Sequence, residues 1–219
     1  PTPPELKKEA PFPYIIGTDD GTVAPDANIT RAEVATIFFR LLTDESRDEY
    51  WSQTNRFIDV FPEEWFNNAV STMANAGILK GYEDGTFRPR ASITRAEFAT
   101  IAIRFFQDFT STETYFSDVS GHWGEAYINM AAEKGLIKGY PDKTFRPNAA
   151  ITRAEAMAIM NRLLERHPHK DHLRDGMITW PDNSDTGAWY YADVQEATNS
   201  HEYANGINGY EIWTKILPV

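Results

Sequence analysis

The chain has 219 residues, 42% of them hydrophobic, a net charge of −11 and no cysteine. This composition suits a soluble globular protein with a sizeable core. It excludes a disulfide framework and thiolate chemistry, and it carries no basic footprint for nucleic acid or an anionic membrane. No apolar run reaches the length of a membrane-spanning helix.

Residues 1–13, opening Pro1-Thr2-Pro3-Pro4, read as a linker with no signal peptide, as in a module cut from a longer protein. Gly17-Thr18-Asp19-Asp20-Gly21-Thr22 is a turn, followed by Val23-Ala24-Pro25. Ile29-Thr30-Arg31-Ala32-Glu33 then starts a helix. Thr followed three residues later by Glu is a capping box, in which each side chain bonds the other residue's backbone N–H. Losing such a cap costs about 1 kcal/mol. Val34, Ile37, Phe38 and Leu41 give the helix an i, i+3, i+4, i+7 stripe, with Ile29 placed to staple onto Val34.

Phe57-x-Asp59-Val60, Trp65 and a helix from Asn67 to a Gly77 stop come next. The turn returns as Gly81-Tyr82-Glu83-Asp84-Gly85-Thr86 with Phe87-Arg88-Pro89, and the box as Ile93-Thr94-Arg95-Ala96-Glu97 before a stripe of Phe98, Ile101, Ala102 and Phe105. The third pass runs from Phe116-x-Asp118-Val119 and Trp123 through a helix over 124–135. It continues with Gly139-Tyr140-Pro141-Asp142-Lys143-Thr144, Phe145-Arg146-Pro147, Ile151-Thr152-Arg153-Ala154-Glu155 and a stripe of Ala156, Ile159, Met160 and Leu163. Residues 167–179, with His167, His169 and His172, read as a polar connection. Trp180-Pro181-Asp182, Trp189 and a helical stretch over 190–200 follow, and 204–219 has no assignment.

The organisation is that of a repeat. The N-terminus holds a turn and a capped helix with no helix before them, and the C-terminus holds the complementary half. One repeat is therefore expected to be assembled from residues 14–44 and 180–203, beside continuous repeats over 55–107 and 114–166. The arginine of each box stands at the positive end of its helix dipole, the unfavourable end for a cation. Three occurrences suggest an anion nearby. With the overall charge opposing an anion, recognition would be short-range and geometric. The later arginines Arg40, Arg104 and Arg162 lie near helix C-termini, where a cation suits the dipole, and read as structural.

Together these motifs resemble the S-layer homology (SLH) domain of bacterial surface proteins, over about residues 14–203. The resemblance implies a mainly helical, all-α fold with long loops. Three repeats would stand in a pseudo-threefold arrangement around a central helical bundle. It implies non-covalent anchoring of an exported protein at the cell wall or S-layer, outside the cell. The partner would be an acidic, often pyruvylated, cell-wall polysaccharide held in grooves between repeats.

Carried over by position, the anion-contact arginines are Arg31, Arg95 and Arg153. The acidic residues are Asp59, Asp118 and Asp182, and the tryptophans are Trp65, Trp123 and Trp189. The turn glycines are Gly81 and Gly139, with Gly17 a looser match. Arg forks match carboxylates, and Trp offers a flat face to a sugar. Four departures favour two competent grooves over three: unequal Asp-to-Trp spacing, Thr18 in place of Tyr, Lys143 in place of Gly, and Asp182-Asn183 where the others have Asp-Val.

The residues leave plainer readings open. Each box arginine could pair with a neighbouring carboxylate, each Trp could be packing, and Asp59 and Asp118 could be caps. His167, His169 and His172 could bind a metal but stand in a polar connection, and the Asp-rich turns lack the alternating carboxylates of a calcium loop. No carboxylate pair or Ser-His-Asp signature points to an enzyme. No cofactor, metal or catalytic residue is expected, and the isolated module is expected to be monomeric. The alternatives are a self-assembling surface-layer module or direct peptidoglycan binding.

Overall fold

The computed structural model describes residues 2–9, 11–107, 111 and 113–218. Among these the chain is mainly helical. It has α1 (Arg31–Leu41), α2 (Asp44–Tyr50), α3 (Asn67–Asn75), α4 (Arg95–Ile103), α5 (Glu125–Glu133), α6 (Arg153–Leu163) and α7 (Tyr191–Thr198). Short 3-10 turns occupy Lys170–His172 and Pro181–Asn183. An antiparallel hairpin, β1 (His201–Asn205) and β2 (Glu211–Ile216), ends the chain. The expectation of an all-α fold is thus corrected by one small sheet.

All three capping boxes form. Thr30, Thr94 and Thr152 accept from the N–H of Glu33, Glu97 and Glu155, and each Glu carboxylate accepts from the Thr N–H in return. The apolar stripes behind them are buried, except that Phe105 lies past the end of α4 and is half-buried. The predicted helices α3, α5 and α7 sit at the expected places with slightly shorter bounds.

The chain divides into two compact units. The first comprises residues 1–6 and 28–151, in which α1 packs on α3, α4 on α5, and α2 on α3. Its three box isoleucines form a closed ring of backbone hydrogen bonds. Ile93 N–H donates to Ile29, Ile151 to Ile93 and Ile29 to Ile151, at 3.0, 3.0 and 3.3 Å. Part of the expected linker belongs to this unit: Glu5 bonds Thr43 and Ser46, and Leu6 is buried beside Leu42.

The second unit comprises residues 7–27 and 152–219, with α6 packed on α7. Its hairpin turns through Asn208-Gly209, with Gly209 at φ 76°.

One backbone device repeats through both units. Asp59 accepts from the N–H groups of Phe87 and Arg88 at 2.7 and 2.8 Å. Asp118 does the same for Phe145 and Arg146, at 2.8 Å each. Asp182 does so for Val23 and Ala24, at 3.1 and 2.7 Å. The second residue of each pair is left-handed: Arg88 at φ 58°, Arg146 at 57° and Ala24 at 49°. Two charge-assisted bonds per carboxylate hold that strained corner in place.

Candidate functional site

The turn glycines are required by contact. A Cβ on Gly81 would stand 2.4 Å from Phe57 Cε1, and one on Gly139 would stand 2.3 Å from Phe116 Cε1. A Cβ on Gly17 would meet the Trp180 ring at 2.2 Å. The aromatic of each Asp motif therefore packs directly against its turn, leaving no room for a side chain there.

The box arginines are buried: Arg31 is 4% exposed, Arg95 6% and Arg153 7%. Arg31 Nε donates to Phe87 O at 2.7 Å, Nη2 to Lys80 O at 2.9 Å, and Nη1 to Glu97 at 2.9 Å. Its guanidinium also stands 4.9 Å from the centre of the Tyr82 ring. Arg95 follows the same plan, with Nε on Phe145 O at 2.7 Å and Tyr140 at 4.8 Å. Arg153 Nε donates to Val23 O at 3.0 Å and Nη2 to Ile16 O at 3.4 Å. Thr18 holds the position that Tyr82 and Tyr140 occupy in the other turns.

These carbonyls and Glu97 answer the dipole problem posed by a cation at a helix start. The first N–H groups of the helices are likewise committed. Arg31 and Ala32 donate to Ala91 and Pro89, Arg95 and Ala96 to Ala149 and Pro147, and Arg153 and Ala154 to Ala27 and Pro25. Neighbouring loop carbonyls therefore take these helix-start N–H groups.

A cavity of about 410 Å³ opens in the first unit, where Arg31, Gly81, Tyr82, Glu97, Arg104 and Trp123 converge. Trp123 is 60% exposed, which is unusual for so large an apolar ring. Trp65 and Trp189 are exposed to a similar degree, at 65% and 62%. Arg104 was read from sequence as a plain helix-end cation, yet it lines this cavity. Its Nη1 donates to Ile78 O at 2.7 Å. Burial lowers its pKa against the opposing effect of Tyr127.

Arg31, already paired with Glu97, and Arg104 place two guanidinium groups at the cavity. Lys80 and Glu83 complete the charged rim. Tyr82 bridges the rim, its hydroxyl donating to Glu97 at 2.6 Å. Sequence reasoning missed Arg104, Lys80, Tyr82 and Glu97 as cavity residues. The recurrence of Tyr82 as Tyr140 was the available signal.

The fold defines a repeat-built, mainly helical module with an open cavity in its first unit. The S-layer homology domain model matches residues 14–35, 56–99 and 115–157. A cellulosome-anchoring protein of Acetivibrio thermocellus is 38% identical over 211 residues, covering 94% of this chain and 46% of the relative. An exoglucanase of the same species, XynX, is 35% identical over 159 residues, 68% of this chain and 14% of the relative. An S-layer protein of Bacillus licheniformis is 29% identical over 178 residues, 78% of this chain and 18% of the relative. The chain belongs to the S-layer homology family of cell-surface proteins. It is accordingly extracellular and associated with the cell wall. It spans less than half the length of each of these relatives.

Proposed function

We propose that the chain is a non-catalytic module that anchors an exported protein to the bacterial wall by binding an acidic, possibly pyruvylated, secondary cell-wall polysaccharide. The observation that carries this reading is the convergence of Arg31, Arg104 and the exposed Trp123 in one cavity. Arg has five N–H donors. Three of those on Arg31 are taken by described residues, which leaves two for a carboxylate. The Trp123 face serves the sugar ring.

The proposal extends to Arg95 and Arg153, to Asp118, Asp182 and Asp59 as supports of the turns, to Gly81 and Gly139, and to Trp65 and Trp189. It also includes three repeats about a pseudo-threefold axis, one of them made from 14–44 and 180–203. The isoleucine ring and the thrice-used Asp corner support that arrangement. Several modest sites on a repeating polymer would add avidity, and the isolated module would be monomeric.

Cosedimentation with purified walls, before and after removal of their secondary polysaccharide, tests the reading. Trp123→Ala should weaken binding about tenfold or more with an unchanged Tm, because an exposed stacking ring contributes on the order of 1.4 kcal/mol or more to the complex and little to the fold. Binding that persists on stripped walls would move the ligand to peptidoglycan. Failure to bind walls, together with concentration-dependent assembly in light scattering, would favour a lattice-forming role.

A further inference from the structure

The second unit buries a polar cluster that the wall-binding reading does not use. Glu196 on the last turn of α7, His201 at the start of β1 and Glu211 at the start of β2 are 0%, 1% and 3% exposed. Each offers a ligand atom within 4.8 Å of the others. His201 Nε2 lies 3.3 Å from Glu196 Oε2 and 3.8 Å from Glu211 Oε2. Among the described residues, neither His201 nitrogen, nor Glu196 Oε1, nor Glu211 Oε2 has a hydrogen-bond partner. Orphaned polar atoms at this depth are costly.

We propose that Glu196, His201 and Glu211 form a binding site for one divalent transition-metal ion of the zinc class. One imidazole nitrogen and two carboxylate oxygens are a zinc-type donor set, whereas calcium and magnesium demand six or more oxygens. Metal–ligand bonds of about 2.0–2.1 Å in a tetrahedron put neighbouring donors about 3.3 Å apart. The His201–Glu196 spacing matches this edge, the His201–Glu211 spacing of 3.8 Å exceeds it by about 0.5 Å, and all three donors stay within 4.8 Å of one another.

The surroundings hold the donors in place. Trp213 stacks on the His201 ring at 3.9 Å between centroids, and its Nε1–H donates to Glu196 Oε2 at 3.2 Å. A carboxylate oxygen has lone pairs enough for both that bond and a metal. Glu211 Oε1 accepts from His167 N–H at 3.2 Å, which turns Oε2 toward the imidazole. Such outer bonds orient metal ligands.

Charge favours the same occupant. Two carboxylates meet here, and Arg166 stands 3.8 Å from Glu196 Oε1. An ion here would tie the hairpin to α7.

The test is calorimetric titration of the chelator-treated chain with Zn²⁺, and with Co²⁺ followed by visible absorption. One equivalent should bind, with the intense bands of low-coordinate Co²⁺. Glu196→Gln and Glu211→Gln, which preserve shape, should each weaken binding more than about 100-fold, since outer-shell changes alone cost 10–100-fold. A His169→Ala/His172→Ala variant should bind like the parent, which separates the buried site from these half-buried histidines. Absence of stoichiometric uptake by the parent chain would overturn the proposal and leave a proton as the cluster's cation. Uptake that survives both Gln variants and vanishes in the double-histidine variant would also overturn it. Should the Gln variants fail to fold, the parent's Co²⁺ spectrum decides: octahedral all-oxygen bands refute the site.

Discussion

Replacing Arg31 by alanine would reach further than a lost ligand contact. The side chain is 4% exposed and its guanidinium satisfies Phe87 O, Lys80 O and Glu97. The substitution leaves two loop carbonyls without a donor and the Glu97 carboxylate, 16% exposed, without its cation. Removing one partner of a buried pair costs about 3–5 kcal/mol, because the surviving charge is left uncompensated. At roughly 2–4 °C per kcal/mol for a chain of this size, Tm should fall by about 6–20 °C.

Arg31→Lys keeps the charge but not the fork, and should recover only part of that loss. A double-mutant cycle with Glu97→Gln should show a coupling of about 1–3 kcal/mol. Thermal unfolding followed by circular dichroism supplies all four corners. A fall in Tm of under 2 °C for Arg31→Ala, or a coupling near zero, would refute the structural account. Arg31 would then be available wholly to a ligand. The outcome also bears on wall-binding assays, since an arginine variant that binds poorly has first to be shown folded.

Three other changes test the turns. Gly81→Ala should cost about 1–3 kcal/mol in denaturant unfolding, the range for overpacking, because the new methyl would meet Phe57 and the Thr86 carbonyl at 2.4 and 2.6 Å. Lys143→Gly should raise stability by up to about 1 kcal/mol, since Lys143 sits at φ 62° where Gly21 and Gly85 adopt the same left-handed backbone. Asp84 should titrate at about 2 by NMR, held below 3.8 first by the Thr86 hydroxyl, then by Thr86 N–H and Arg88. Its pKa is depressed on folding, so its contribution is present above pH 4 and is lost as pH falls toward 2. Thr86→Val should move that midpoint upward, and an unmoved midpoint would show that the hydroxyl is not the cause.

Much of the helical architecture was legible because its signals are local. A capping box acts across three residues, a turn across four and a helical stripe across eight, so each can be read from adjacent letters. The three boxes, their buried stripes and the turn positions appear where those letters put them. The hairpin escaped because its burial is inverted. Glu211 faces inward and Ile212 is substantially exposed, so the alternation reads wrongly even though Asn208-Gly209 is a strong hairpin signal.

The destinations of long side chains belonged to the tertiary structure alone. Arg31 meets partners 49, 56 and 66 residues away, and Asp182 meets backbone 158 and 159 residues away. Local sequence had offered an unbalanced cation at a helix start, and distant loop carbonyls balance it. The same separation in sequence hid Arg104, which folding brings to the cavity that Arg31 also lines. It also hid Glu196, His201 and Glu211, which carry no ligand spacing along the chain and come together only when α7 and the hairpin pack. Electrostatic interactions depend on distance in space, which sequence separation does not report.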